Sequence, residues 1–289
     1  MRLHVLDATF ELFRAHFGYP PRNDPDGKPV GATVGLIEST LQLLRQDDVT
    51  HLGAAFDTEI TSFRNDLYDG YKTGEGVEPE LFAQFPLAER ALEALGVVVW
   101  HMREFEADDA MATAAIRWAD DVDQVVILSP DKDLSQVVVE DRIITFNRIK
   151  GTPLDENGIW EKFGVGPASI PDYLALVGDT ADGIPGIPAW GAKSSATLLA
   201  RYGALEAIPD DEAQWDVKVR GAARLAESLR EHRGQAMLFR TLTTLRLDVP
   251  MEESLDDLRW QGVDRDAFMA LCDELGATGL RDRPHLWAE

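Results

Sequence analysis

The chain of 289 residues is short of cysteine, of positive charge and of long apolar runs, and each shortage removes a class of protein. A single cysteine, Cys272, admits no internal disulfide, which excludes a disulfide-stapled scaffold and suits a reducing cytoplasm. Its neighbours Asp273 and Glu274 disfavour a thiolate, so Cys272 reads as a small buried residue. No stretch approaches the ~18 consecutive apolar residues of a membrane span, and the run before Asp7 is too short for a signal peptide. A soluble, cytoplasmic chain without a membrane partner is expected. Repeats, low-complexity tracts and Gly/Ser linkers are also missing, so the parts should pack as one body. Lys and Arg number 28 against 51 Asp and Glu, a net charge of −23. Taken alone, that deficit discourages a nucleic-acid partner, because phosphates call for a positive footprint. Acid excess has two common sources, a solvated surface and carboxylates gathered around divalent cations, and position decides between them.

What is present is an ordinary globular mixture, long enough for one large domain or two. Short apolar runs at 3–6, 51–56, 96–100, 124–129 and 142–146 read as strands. Apolar residues at helical spacing fill 34–44, 81–95 and 107–118 between them. That alternation predicts an α/β fold with a central, mostly parallel sheet flanked by helices. Beyond about residue 160 the strand signal fades, and amphipathic stretches at 170–177, 192–202, 221–229 and 235–245 predict a helical C-terminal part. The expected division is 1–160 and 161–289.

The carboxylates fall where a parallel sheet opens. Asp7 follows the first strand, Asp57 the second, and Asp131 and Asp133 the run 124–129. Carboxyl ends of parallel strands share one edge, where ligands bind. Glu106-Ala107-Asp108-Asp109 starts the helix after the 96–100 strand, with Glu106 and Asp109 on one face. Acids at a helix start also complement the macrodipole, but that does not explain the strand ends. Gathered carboxylates repel unless cations neutralise them, which points to hard divalent ions, Mg²⁺ or Mn²⁺. Two such ions form the clamp used to hydrolyse phosphodiesters.

A further pair, Asp179 and Asp182, lies in Gly178-Asp179-Thr180-Ala181-Asp182-Gly183. This motif also resembles the last acidic motif of haloacid-dehalogenase-type phosphohydrolases. That family wants an aspartate two residues after the first, where this chain has Thr9. The phosphohydrolase stays as an alternative.

Five blocks in order resemble the 5′ nucleases, which comprise flap endonucleases and the 5′ exonuclease domain of bacterial DNA polymerase I. They are Val5 through Arg14; Phe56-Asp57 with Ser62-Phe63-Arg64 and Tyr71-Lys72; Glu106 through Asp109; Asp131-Lys132-Asp133-Leu134 with Gln136; and Gly178-Asp179 through Lys193. The resemblance implies a PIN-like nuclease domain followed by a helix-three-turn-helix element that grips duplex DNA. It implies two or three metal ions lined by Asp7, Asp57, Glu106, Asp108, Asp131, Asp133, Asp179 and Asp182, with Asp109 beside them. Arg14 and Lys72 match the active-site cations expected to contact the scissile phosphate, and Tyr71 an aromatic on which a base stacks. Arg64 belongs with the DNA-binding residues. In the loop 183–195, Gly186, Gly191, Lys193 and Ser194 are expected to meet the uncleaved duplex, with a monovalent cation such as K⁺ bound there. A free-standing, monomeric 5′-3′ exonuclease or flap endonuclease of replication or repair follows, acting on DNA with 5′ ends, flaps or junctions. Polymerase or ligase partners are not readable.

The chain departs from that pattern in places. Ala8, Pro130 and Ala189 stand where the family usually has Gly, and Trp190 replaces an aliphatic residue. Glu75 stands where the family carries Arg, and Glu78 and Glu80 follow, so the strand-threading region is acidic and should repel a passing single strand. A nearly inactive DNA-junction binder is therefore a second alternative. Residues 216–246 set seven cations against three acids, a pattern that fits either duplex contact or a salt-bridged surface.

Overall fold

Leu3, Val5 and Leu6 are all wholly buried in the strand Arg2–Asp7 (β1), the continuous burial of a parallel strand covered on both faces. The computed structural model describes residues Met1–Glu289. After β1 come α1 (Ala8–Gly18), α2 (Gly31–Leu44), β2 (His51–Asp57), α3 (Phe63–Leu67), α4 (Pro79–Phe82), α5 (Phe85–Ala94), β3 (Val98–Met102), α6 (Ala107–Trp118) and β4 (Gln124–Leu128). The remainder holds β5 (Ile143–Asn147), β6 (Thr152–Leu154), α7 (Glu156–Phe163), α8 (Ile170–Val177), α9 (Ala192–Tyr202), α10 (Ala222–Thr243) and α11 (Arg265–Glu274).

The chain forms two compact units. The first comprises Met1–Ile60, Gly74–Ser129 and Leu247–Glu289. In it β1 pairs in parallel with β2 and β4, and β2 in parallel with β3. Leu6 lies opposite Leu128, and Asp57 opposite Met102, so the strands end together at one edge. α6 lies over β1 to β4, while α1 and α2 pack on each other. Phe56 and Phe85 meet edge to face, a geometry that favours the two ring quadrupoles.

The second unit comprises Thr61–Thr73 and Pro130–Arg246. It holds the antiparallel β5–β6 pair and a helical core in which α8 packs on α9 and α10. Ile170, Leu174, Leu198, Leu199, Leu225 and Leu229 are buried there.

Two expected helices change form. The 81–95 stretch is a single turn, α4, followed by α5, with Pro86 in the first turn of α5. Proline lacks the N–H and clashes with the preceding turn, so a helix starts there more readily than it passes through. The 221–229 and 235–245 stretches are instead one helix, α10, that runs through Gly234. A glycine costs a helix about 1 kcal/mol, and the burial of Ala236, Phe239 and Leu242 just beyond it offsets that cost. The third strand begins at Val98, two residues later than expected, because Gly96 takes φ 74°, outside the β region.

Candidate metal centre

In the first unit the parallel strands deliver carboxylates to their carboxyl edge. Asp7 is the last residue of β1 and caps α1, with Oδ1 accepting from the Phe10 N–H at 2.8 Å. Its Oδ2 accepts from the Ser129 hydroxyl at 2.8 Å, just past β4. Asp57 ends β2. The Thr9 hydroxyl accepts from its backbone N–H at 2.8 Å, and Asp57 Oδ1 accepts from the Ala107 N–H at 2.7 Å. Glu106 caps α6 and is buried, while Asp108 is half-buried. Asp109 is wholly buried, and its Oδ2 accepts from the Glu106 N–H at 3.0 Å, so it orients Glu106 and closes the helix start.

In the second unit Asp133, Asp179 and Asp182 offer carboxylate oxygens that all lie within 4.8 Å of one another. Local geometry holds each of them. Asp131 is exposed, and its Oδ1 accepts from the Asp133 N–H at 2.8 Å, which turns the chain into a 3₁₀ segment over Asp133–Val137. Asp179 and Ile184 exchange two backbone hydrogen bonds of 2.7 Å, closing the loop that carries Asp182. Lys132 Nζ pairs with Asp179 and lies 3.5 Å from Asp133 Oδ1, while Lys72 Nζ is 3.0 Å from Asp182 Oδ1. Burial, and then the Asp131 carboxylate, push the Asp133 carboxyl well above the usual carboxylate range. Asp133 Oδ1 is buried and makes no hydrogen bond. An oxygen with no hydrogen bond, only the 3.5 Å ion pair to Lys132, beside two more carboxylates fits a hard divalent ion.

Other sequence expectations meet a different structure. Arg64 was expected at the DNA, but it is 1% exposed. Its guanidinium donates to the Leu242 and Thr244 carbonyls at 2.8 and 3.1 Å, capping the end of α10, so it has no surface to offer a phosphate. Tyr71 is not an exposed platform for a base. It packs among Ala175, Ile184, Phe239 and Leu242, with Lys72 Nζ 5.5 Å from its ring centroid. Arg14 pairs with Glu11 and donates to Ser39 Oγ at 2.7 Å.

The loop between α8 and α9 turns sharply at Gly186. Gly186 has φ 71°, and a Cβ there would lie 2.6 Å from the Gly178 nitrogen, so only glycine fits. Ala189 takes φ 69°, a left-handed conformation that favours glycine. The Trp190 indole N–H donates to the Leu225 carbonyl at 3.1 Å, which pins the loop to α10. The Gly191 N–H donates to Ser194 Oγ at 3.2 Å, and Lys193 is exposed.

Within 216–246 the structure sorts the cations. Arg233 pairs with Asp210, Arg240 with Glu206, and Arg201 in α9 with Asp216. Lys218, Arg220 and Arg224 are exposed at the start of α10 and have no carboxylate partner. Sequence reasoning assigned no role to Glu11, Ser129 or Lys132. Glu11 was detectable as an acid three residues before Arg14 on one helix face.

Residues 2–164 match the family described as 5′-3′ exonuclease, N-terminal resolvase-like domain, and residues 165–266 the one described as 5′-3′ exonuclease, C-terminal SAM fold. The chain belongs to the 5′-3′ exonuclease family. It is 34% identical over 280 residues to DNA polymerase I of Bacillus caldotenax, a match covering 95% of this chain and 31% of that protein. It is 36% identical over 288 residues to DNA polymerase I of Mycobacterium leprae, covering 97% and 31%. The chain thus spans about a third of the length of these relatives. Among solved structures, the bacteriophage T5 5′-exonuclease aligns at TM-score 0.64 and 16% identity over 96% of this chain and 92% of that one. The bacteriophage T5 flap endonuclease, in a pseudo-enzyme-product complex with DNA and metal ions, gives 0.66 and 17% over 96% and 94%. The catalytic core of Rad2 in complex with DNA substrate gives 0.62 and 14% over 96% and 87%. The fold is therefore the mixed α/β, PIN-like resolvase fold followed by a SAM-like helical part. Solved structures of that fold include an exonuclease and a flap endonuclease. No helix is long and apolar enough to cross a membrane.

Proposed function

We propose that the chain is a divalent-metal-dependent 5′-3′ exonuclease and structure-specific flap endonuclease that hydrolyses DNA phosphodiesters. The observation that carries this reading is the convergence of carboxylate oxygens of Asp133, Asp179 and Asp182 within 4.8 Å of one another. Family membership supports a metal-ligand role for Asp7, Asp57, Glu106, Asp108 and Asp131, and Asp109 supports Glu106. Mg²⁺ or Mn²⁺ suits an all-oxygen donor set. When bound, such ions stabilise the attacking and leaving oxygens of an in-line displacement. The protein's own part is to fix the carboxylates and to bring Lys72 and Arg14 to the phosphate as positive charge. Both cations rest on acids in this structure, Lys72 on Asp182 and Arg14 on Glu11, and a phosphate competes for them.

A division into a nuclease domain over 1–160 and a helical domain over 161–289 has the support of the family boundary at 164 and 165, although the compact units place Pro130–Arg246 together and Leu247–Glu289 with the first strands. The loop with Gly186, Gly191, Lys193 and Ser194 would hold the uncleaved duplex, aided by K⁺ and by the exposed Lys218, Arg220 and Arg224. We place the protein in the cytoplasm, as a monomer acting on 5′ ends, flaps or junctions. Thr9, where a haloacid-dehalogenase-type enzyme wants its second aspartate, spends its hydroxyl on the Asp57 backbone, which counts against that reading.

The test is cleavage of a 5′-labelled flap duplex with Mn²⁺, Mg²⁺ or EDTA, with Asp131→Asn and Asp7→Asn alongside. Incision should require metal and fall by on the order of a hundredfold or more in either variant, with folding unchanged. Tight binding without incision would instead support the junction binder, a reading that the exposed Glu75 and Glu80 favour.

A further inference from the structure

Lys132 stands between two aspartates in sequence, and its ammonium reaches into the carboxylate trio. It pairs with Asp179 Oδ2 and lies 3.5 Å from Asp133 Oδ1. Lys72 meets the third member, Asp182, at 3.0 Å. We propose that Lys132 is a tethered counter-ion: its ammonium occupies Asp133 and Asp179 when no divalent ion is bound, and the ion enters by displacing it. This rests on the metal reading above and goes beyond it by giving a role to a residue outside the ligand set.

An ammonium has three donors and no acceptor, so it competes for the same carboxylate oxygens that Mg²⁺ or Mn²⁺ requires at about 2.0 to 2.2 Å. Two cations sharing the Asp179 oxygen would repel at close range in a half-buried site, so occupancy is exclusive. The Asp131–Asp133 turn is held by a backbone N–H on Asp131 Oδ1 and does not depend on the Lys132 side chain. That side chain is 32% exposed on a flexible stem, so it has a route to solvent that leaves the loop intact. Without this charge the trio would be a repelling cluster in the metal-free protein.

The experiment compares the unaltered chain with Lys132→Met by calorimetric titration with Mn²⁺ and by thermal unfolding in EDTA. Lys132→Met should bind Mn²⁺ about tenfold more tightly, having lost its competitor. It should also unfold at a lower temperature in EDTA and gain more from Mn²⁺ than the unaltered chain does. Equal or weaker Mn²⁺ affinity overturns the proposal. If the variant does not fold in EDTA, lysine acetylation of the unaltered chain read by mass spectrometry decides. Lys132 should be protected without Mn²⁺ and react faster when Mn²⁺ saturates the site; unchanged or slower reaction overturns the counter-ion role. An unaltered chain that binds no Mn²⁺ overturns the metal reading and this proposal together, whereas Mn²⁺ binding indifferent to Lys132 overturns this proposal alone.

Discussion

His4 shows how far one side chain can depart from its ordinary chemistry inside β1. Burial lowers its pKa from 6.5 to about 4, with Asp48 pulling it up and Arg2 pulling it further down. The unfolded chain takes up a proton on this histidine below pH 6.5, and the folded chain does so only near pH 4. Between those values the unfolded state binds more protons, so stability falls as pH falls. The shift corresponds to roughly 3 kcal/mol lost across that window. His4→Leu should remove this part of the acid sensitivity, visible as a flatter dependence of urea-unfolding stability on pH between 6.5 and 4. An unchanged pH profile would mean that His4 titrates normally. Residue identity was legible at this scale, but exposure was not. Arg64 and Tyr71 sit in motif positions, and only their neighbours show that one caps α10 and the other is buried in an apolar cluster.

At the scale of elements, hydrophobic periodicity located the parallel strands and the helices that cover them, because a wholly buried strand is a short unbroken apolar run. It failed where a backbone effect overrode the pattern, at Pro86 and Gly234. It also passed over α1, α7 and α11, whose apolar stripes are shorter or interrupted by charge. The turn between α8 and α9 offers a test of local strain. Ala189 holds φ 69°, a left-handed conformation that costs an L-residue roughly 1 to 2 kcal/mol, part of which glycine's greater freedom in the unfolded chain cancels. Ala189→Gly should therefore stabilise the protein by about 0.5 to 1 kcal/mol, measured as a shift in the chemical-denaturation midpoint. A destabilised variant would show that the alanine methyl makes a contact worth more than the strain.

For the whole molecule, the proposed DNA binding has to be reconciled with a charge of −23. Total charge is a weak guide, because counterion release depends on the cations that touch phosphates. Arg233 and Arg240 pair with carboxylates, Arg230 donates to the Asp210 carbonyl and Arg246 lies over the Phe63 ring, which leaves Lys218, Arg220 and Arg224 as the open cations of the 216–246 region. Replacing all three by Gln should reduce the slope of log affinity against log salt by roughly 2 to 3 and weaken binding to any duplex sequence alike. Fluorescence anisotropy across a KCl series reads both. An unchanged slope would move the duplex to another face.

Fold class, and the placing of Asp7 and Asp57 at the sheet's carboxyl edge, could be read from the order of residues alone, since both rest on local rules: apolar runs make strands, and acids that end them reach that edge. Which cations are free could not be read that way. Arg64 is consumed by carbonyls of Leu242 and Thr244, and Lys132 reaches Asp179, partners far away along the chain. Charge pairing and burial are set by what folding brings within a few ångströms, and sequence spacing carries no record of that distance.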